Sequence, residues 1–185
     1  MRKVIYSLSV SLDGFAETRE RGIDWVIVDE ELHTFFNAQA REMGADLYGR
    51  RMYELMAAYW PTADSDPSNP SVIIEFARIW KDMPKVVFSK TLEKVEWNSR
   101  LVKGDIAAEV ARLKAQPGKD LGVGGPTLAA TLARLGFIDE YRLFVNPIVL
   151  GGGTPFFPAL EDRIDLHLVE TRTFRSGVVY LRYQK

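Results

Sequence analysis

A glycine pair at positions 124 and 125 is the stretch of this sequence best suited to bind a phosphate group. Gly124 and Gly125 follow a short apolar run, and a helical pattern begins at Pro126. Proline fits the first helical position because no N–H donor is needed there. Glycines let a ligand approach the backbone, and the helix N-terminus offers N–H groups and a partial positive charge. With Thr127 in the first helical turn, the stretch predicts a phosphate or pyrophosphate site. A tight strand–helix connection is the alternative.

Two further stretches carry cationic side chains at the ends of predicted strands. Gly49-Arg50-Arg51 follows a strand predicted at 45–48, and Ser89-Lys90 follows one predicted at 85–88. Ligands of α/β sheets bind at the carboxyl ends of strands, and arginine and lysine match the charge of a phosphate. The three strand ends together would suit an adenosine 2′-phosphate beside a pyrophosphate. Each cation taken alone could instead be a solvated surface charge.

The N-terminal strand has one face of small hydroxylated residues. Residues 4–12 alternate with the period of a strand. The residues predicted to face the core are Val4, Tyr6, Leu8, Val10 and Leu12. Those on the other face are Ile5, Ser7, Ser9 and Ser11. This second face leaves room for a flat ligand or, equally, for a closely crossing helix. Asp13-Gly14 is a turn signal that ends the strand.

Periodicity and turn signals predict the remaining elements. Helices are expected after the N-cap residues Asp29, Ser71 and Asp105, and another is expected from Met52 to just before Pro61. Loops are expected at 15–28 and 61–70. Strands are expected at 97–102 and 141–145, with an extension of the latter at 147–150, and a closing antiparallel hairpin at 164–174 and 178–183. This alternation predicts one α/β domain over residues 1–185, with a central and mostly parallel mixed sheet.

Composition narrows the class of protein. The chain has 185 residues with 24 Lys and Arg against 25 Asp and Glu, so its net charge of −1 gives no reason to expect nucleic acid or a membrane surface as partner. It has no cysteine, and its two histidines, His33 and His167, have no metal-ligand spacing. We therefore expect no metal site. Without a signal peptide or an apolar stretch of membrane-spanning length, we expect a cytoplasmic protein.

Five motifs in order resemble the dihydrofolate reductase superfamily, and most closely the reductase domain at the C-terminal end of bifunctional riboflavin-biosynthesis deaminase/reductases (the RibD C-terminal domain family). They are Ser-Leu-Asp-Gly at 11–14, Leu-Tyr-Gly-Arg-Arg-Met-Tyr-Glu at 47–54, Val-Phe-Ser-Lys at 87–90, Val-Gly-Gly at 123–125, and Asn-Pro-Ile-Val-Leu-Gly-Gly-Gly at 146–153. The resemblance spans nearly the whole chain.

The resemblance implies a dihydrofolate reductase-like three-layer α/β/α sandwich that uses NADPH. The Gly-Arg and Ser-Lys segments would hold the adenosine side of the cofactor, and the Gly-Gly turn its pyrophosphate. Ser9 and Ser11 would line the nicotinamide site, and Asp13 would lie near the reacting carbon to orient the substrate or relay a proton. Asp13 could also serve only as a turn-forming residue.

Dihydrofolate reductases carry an acid on the first helix, and Glu31 is the best match within Asp29-Glu30-Glu31. A glutamate at a helix N-terminus can also be explained by the helix dipole. The Pro-Trp pair that precedes this helix in dihydrofolate reductases is reduced to Asp24-Trp25 in this sequence. The zinc deaminase half of the bifunctional riboflavin enzymes is absent. We therefore expect hydride transfer to a small pyrimidine- or pteridine-like molecule, as in the reduction of 5-amino-6-(5-phosphoribosylamino)uracil. A dihydrofolate reductase and a nucleotide-binding module without turnover are the alternatives. The resemblance also implies a homodimer.

Overall fold

Eight of ten strands form one central sheet in the computed structural model, which describes residues 1–185. The strands are β1 (Val4–Ser11), β2 (Phe15–Glu17), β3 (Met43–Gly49), β4 (Lys85–Phe88), β5 (Ser99–Val102), β6 (Asp120–Gly124), β7 (Glu140–Asn146), β8 (Thr154–Pro155), β9 (His167–Thr173) and β10 (Val179–Gln184). The order across the central sheet is β5-β4-β3-β6-β1-β7-β10-β9, and β2 pairs with β8 separately. All pairs from β5 to β7 are parallel, whereas β10 is antiparallel to both of its neighbours.

Five helices cover the two faces of this sheet. They are α1 (Glu30–Glu42), α2 (Arg50–Ala63), α3 (Ser71–Asp82), α4 (Ile106–Ala115) and α5 (Pro126–Arg134). Helices α4 and α5 pack on the main core through Val110, Leu113, Leu128 and Leu132, all buried. Helices α1, α2 and α3 pack on the other face. The prediction of a three-layer sandwich with a mostly parallel sheet and a C-terminal hairpin is confirmed.

Strand alternation decides what each helical layer contacts. Tyr6, Leu47 and Val123 belong to the core under α4 and α5. Their neighbours Ser7 and Tyr48 therefore face α1, α2 and α3. The predicted small-residue face of β1 thus lies under the layer that contains α1.

Three predicted boundaries are wrong. Leu12 is 68% exposed rather than in the core, because β1 ends at Ser11 and the chain turns at Gly14, whose φ is 90°. Helix α2 continues through Pro61 to Ala63 and buries both residues, so proline is accommodated in the last turn instead of ending the helix. Ser71 is the first residue of α3, not its cap, since Pro70 occupies the cap position.

The loop expected at 15–28 and the strand extension expected at 147–150 also differ from the structure. Residues 15–17 form β2, which pairs with β8. Residues 147–150 do not extend β7 but leave the sheet. The predicted strand at 97–102 begins only at Ser99, because Trp97 and Asn98 have positive φ angles. None of the five helices has the length and apolar character needed to cross a lipid bilayer.

Candidate functional site

The three predicted phosphate-binding stretches lie side by side at the carboxyl edge of the sheet. Tyr48 on β3 pairs with Gly124 on β6, and Gly49 pairs with Phe88, the last residue of β4. Chain order reverses here, because β6 returns to lie between β3 and β1. Such a switch point is where ligands of open α/β sheets bind.

Two features of the structure explain why the turn at 124 and 125 consists of glycines. Gly125 precedes α5 with a φ of 88°, a conformation that other residues rarely adopt, and no side chain caps the helix. A Cβ atom on Gly124 would lie 2.6 Å from Tyr48 Cε1, so close packing also requires glycine there. Pro126 occupies the first helical position, as predicted, and Thr127 is exposed in the same turn. The turn is therefore packed against Tyr48 and Met52, with Gly124 half-buried and Gly125 buried.

Arg50 lies close to the Ser89-Lys90 segment. Its Nη1 donates to Thr91 Oγ1 at 2.9 Å, and its Nε donates to Glu54 on the next helical turn. Ser89 Oγ accepts hydrogen bonds from the backbone N–H groups of Thr91 and Leu92 and so fixes the turn. Lys90 is exposed and forms no ion pair. Arg50 and Lys90 therefore place positive charge at adjacent strand ends.

Arg51 is engaged differently from Arg50. Its guanidinium forms an ion pair with Glu17 on β2 at 2.8 Å, and its Nη2 donates to the backbone oxygen of Arg21. Glu17 is 5% exposed and also accepts a hydrogen bond from Thr154 of β8. Burial disfavours the charged form of Glu17, but hydrogen bonds from Arg51 and Thr154 outweigh it and lower its pKa. Arg51 therefore joins α2 to the small β2–β8 sheet.

Asp13 holds the loop that follows β7. Its carboxylate accepts hydrogen bonds from the backbone N–H groups of Leu150 and Gly151, at 3.0 and 2.8 Å, and from the Ser11 hydroxyl at 2.7 Å. The bond from Leu150, then that from Ser11, lowers the pKa of Asp13. Ser11 is itself buried, and its Oγ accepts from the N–H of Phe15. An acid with these contacts is well placed to orient a loop and poorly suited to deliver a proton at neutral pH.

Glu31 contacts the C-terminal hairpin. It accepts hydrogen bonds from Arg172 Nη2 at 3.0 Å and from the backbone N–H of Arg175 at 3.2 Å. The bond from Arg175, then that from Arg172, lowers its pKa. The carboxylate is therefore directed at the hairpin. Ser9, by contrast, is half-buried on β1, pairs with Phe144 and donates no side-chain hydrogen bond.

A cavity that the sequence did not reveal lies under α1. It measures about 160 Å³, and Ser7, Asp46, Tyr48, Gly122, Gly124 and Arg142 are among the residues that line it. Tyr48 Oη donates to Asp46 Oδ2 at 2.9 Å. Burial raises the pKa of Asp46 to about 6. The sequence contained one indication of this cavity, because the charged Asp46 interrupts an otherwise apolar strand.

A larger depression of about 650 Å³ lies at the opposite, amino-terminal edge of β3, β4 and β5. Three of its four cations are already engaged. Arg100 and Arg112 both pair with Glu109, and Lys85 Nζ donates to the backbone oxygen of Met83 at 2.6 Å. None of the predicted site residues lines this depression.

Comparison with known sequences gives matches over nearly the whole chain. The sequence model of the RibD C-terminal domain matches residues 2–180. The uncharacterized protein YyaP of Bacillus subtilis (strain 168) is 37% identical over 183 residues, which cover 98% of this chain and 94% of YyaP. The uncharacterized protein YwjB of the same organism is 26% identical over 187 residues, covering 96% of this chain and 95% of YwjB.

Solved structures share the fold. A candidate riboflavin biosynthesis protein from Shewanella sp. PV-4 has a TM-score of 0.77 at 23% identity, with 100% of this chain and 98% of that chain covered. The diaminohydroxyphosphoribosylaminopyrimidine deaminase/5-amino-6-(5-phosphoribosylamino)uracil reductase of Thermotoga maritima has a TM-score of 0.66 at 14% identity, and the match covers 99% of this chain and 56% of that longer one. A pyrimidine reductase-like protein from Corynebacterium diphtheriae has a TM-score of 0.63 at 14% identity, with 99% and 91% covered.

Proposed function

The chain belongs to the RibD C-terminal domain family, and from this premise and the geometry of the carboxyl edge we propose that it is an NADPH-dependent reductase. The observation that carries the proposal is the register of β3, β4 and β6, which brings Gly49, Ser89 and the Gly124-Gly125 turn together. Two cations, Arg50 and Lys90, stand beside a glycine turn at a helix N-terminus. Such a set fits a 2′-phosphate next to a pyrophosphate.

The remaining site residues divide between contact and positioning roles. Ser9, on the small face of β1, would contact the nicotinamide, while Ser11 and Asp13 would position residues 150 and 151 against it. We assign Arg51 a positioning role as well, since it pairs with the buried Glu17, whereas Arg50 pairs with Glu54, which is exposed to solvent. Thr127 and Gly125 would offer hydroxyl and backbone N–H groups to the pyrophosphate.

The reaction that we propose is reduction of a C=N or C=O carbon in a pyrimidine- or pteridine-like substrate, for example 5-amino-6-(5-phosphoribosylamino)uracil. NADPH, when bound, supplies the hydride, and the protein supplies orientation and exclusion of water. Dihydrofolate reduction is less well supported, because Glu31, the acid expected for it, is engaged with Arg172 and Arg175. A homodimer also stays a prediction, and β9 offers a fully exposed edge strand for it.

The test is a binding titration of NADPH and NADH with the double variant Arg50→Ala/Lys90→Ala. We expect the Kd for NADPH to rise about 100-fold, because two charge-assisted contacts to the 2′-phosphate are lost. The Kd for NADH, which has no 2′-phosphate, should change little. The matched control is Arg134→Ala/Lys119→Ala, which removes two exposed cations at the opposite edge of the sheet.

Three results would count against the proposal. Equal losses for both cofactors would remove the 2′-phosphate assignment, and no saturable NADPH binding by the wild-type protein would remove the cofactor itself. Binding without NADPH oxidation, across pyrimidine ribosylamines, pterins and small aldehydes, would favour a nucleotide-binding module instead.

A further inference from the structure

One arginine in the depression at the amino-terminal edge of the sheet has no partner for its terminal nitrogens. Arg2 precedes β1, lines the depression and is 9% exposed. Its Nε donates to the backbone oxygen of Lys119, but its two terminal nitrogens donate no hydrogen bond and form no ion pair. Burial lowers the pKa of Arg2 and Asp120 raises it, while a guanidinium remains charged at neutral pH. A buried charge without a partner is costly, so an anion bound here would be stabilised.

The protein holds this guanidinium in one position. The backbone N–H of Arg2 donates to the backbone oxygen of Lys114 at 3.0 Å, and the bond from Nε fixes the far end of the side chain. A Cβ atom on Gly44 would lie 2.8 Å from Arg2 Nη2, so the guanidinium lies directly on the backbone of β3. A fixed guanidinium with both terminal nitrogens free matches the paired oxygens of a carboxylate or phosphate.

The depression as a whole carries an excess of positive charge. Glu96 is the only carboxylate among its lining residues, and the exposed Lys94 lies 3.4 Å from it. Glu109 contacts two arginines and can neutralise only one of them. The cations that line the depression are Arg2, Lys85, Arg100 and Arg112. An anion is therefore attracted to this edge, and Arg2 is the cation whose terminal nitrogens are all free to bind it.

An aromatic side chain lines the other end of the depression. Trp97 is 42% exposed, and the next residue, Asn98, accepts a hydrogen bond from the backbone N–H of Lys85 at the start of β4. Gly44 lies on β3 and Trp97 just before β5, two strands away, so the two ends are separated by roughly 10 Å. The volume of about 650 Å³ is that of a small-molecule site. An exposed indole offers its face to a second ring.

We propose that this depression is a second ligand site, which binds a small aromatic molecule that carries a phosphate or a carboxylate. Arg2 binds the oxyanion through its two terminal nitrogens, and Trp97 stacks on the ring. The site lies at the opposite edge of the sheet from the Gly124-Gly125 turn. It therefore stands or falls separately from the proposed NADPH site.

The test is a calorimetric titration of the wild-type protein, without NADPH, with 2-naphthyl phosphate and with 2-naphthoate. We expect saturable binding of at least one of them, and the tighter of the two identifies the oxyanion. The ring alone, as 2-naphthol, and the anion alone, as inorganic phosphate, should each bind at least about tenfold more weakly, since each lacks one of the two contacts. No saturable binding of either anion, or equally tight binding of 2-naphthol, would overturn the proposal.

Variants at the cationic end locate the site. Arg2→Ala should weaken the tighter anion at least about tenfold, because the charge-assisted bonds are lost. Arg134→Ala, which removes an exposed cation outside the depression, is the matched control and should bind like wild type. The double variant Arg50→Ala/Lys90→Ala should also bind like wild type. Loss of binding in that double variant but not in Arg2→Ala would place the anion at the carboxyl edge and overturn the proposal.

Trp97 provides a second test at an exposed residue, where a substitution does not disturb the buried guanidinium. Trp97→Ala should reduce the affinity for the aromatic anion to that for inorganic phosphate, because only the contact with Arg2 remains. Trp97→Phe keeps a ring and should retain most of the affinity. Undiminished binding by Trp97→Ala would show that the ring does not lie here, and the aromatic part of the proposal would be wrong.

Discussion

At the scale of single residues, Asp46 departs most from what its strand would require. A carboxyl group between apolar neighbours is costly to ionise, and one hydrogen bond from Tyr48 only partly offsets the loss of water. The other ionisable groups near it are Lys85 on the adjacent strand, whose pKa burial lowers to about 8, and Arg142 across the cavity. An ionised carboxylate in these surroundings therefore lowers the free energy of unfolding of the protein.

The raised pKa of Asp46 predicts a specific pH dependence of folding. Its pKa of about 6 in the folded protein exceeds the ordinary value of 3.8, so the folded state binds the proton more tightly and stability falls as pH rises through this interval. Asp46→Asn removes the effect. Between pH 4.5 and 7.5, we expect the variant to gain about 2 kcal/mol in free energy of unfolding relative to wild type. Urea unfolding at the two pH values measures it.

A second carboxyl group provides a control of opposite sign. Hydrogen bonds from the Ser68 side chain and backbone lower the pKa of Asp66, so this group stabilises the protein above its ordinary pKa and the contribution is lost as pH falls. Asp66→Asn should therefore lose stability relative to wild type only as pH rises towards 3.8, and should change little between pH 4.5 and 7.5, where the contribution of Asp66 is already complete. If Asp66→Asn gains as much stability as Asp46→Asn between these two pH values, the assignment for Asp46 is wrong.

At the scale of elements, the sequence predicted the start of a helix correctly where the residues that fix that start are close together in the chain. Asp29 and Asp105 cap α1 and α4 as predicted, because the bonds that they accept come from residues two or three positions away. Gly125 and Pro126 begin α5 for the same reason. Pro61 lies inside α2, however, where tertiary burial of the last turn outweighs the local preference to stop.

The candidate site could be predicted only in part, because local sequence patterns do not report contacts between distant parts of the chain. Parallel strands necessarily bring their carboxyl ends to one edge, so the three phosphate-binding stretches could be placed together in advance. The bonds of Arg51 to Glu17, of Asp13 to residues 150 and 151, and of Glu31 to the hairpin join distant parts of the chain. No local spacing encodes such contacts, and the cavity depends on four strands at once.

The loop at 147–153 provides a prediction at this scale. Asp13→Asn replaces an acceptor with a group that places an N–H against Leu150 or Gly151, so the loop should loosen. We expect faster amide hydrogen exchange at these two residues, and turnover reduced roughly 10- to 100-fold by misplacement, with the Kd for NADPH nearly unchanged. Asp165→Asn, at an exposed site after the same loop, is the control. Unchanged exchange and rate would exclude a positioning role for Asp13.

At the scale of the whole molecule, the proposed cofactor site exists only when the sheet is complete. Gly49, Ser89 and Gly124 are far apart in sequence and meet through the pairing of β3 with β4 and β6. An unfolded chain can offer no such set of strand ends. NADPH should therefore bind the folded state alone and shift the unfolding equilibrium of the entire chain.

The size of this shift can be predicted. At a free NADPH concentration 100 times its Kd, the free energy of unfolding should increase by about 2.7 kcal/mol. For a protein of this length, that corresponds to an increase in Tm of roughly 5–10 °C in a calorimetric scan. At the same concentration, Arg50→Ala/Lys90→Ala should lose most of the increase, since occupancy falls with affinity, whereas Arg134→Ala/Lys119→Ala should keep it. An increase of the same size in both double variants would mean that NADPH stabilises the fold from a different surface, and the carboxyl edge would then have to be abandoned as its site.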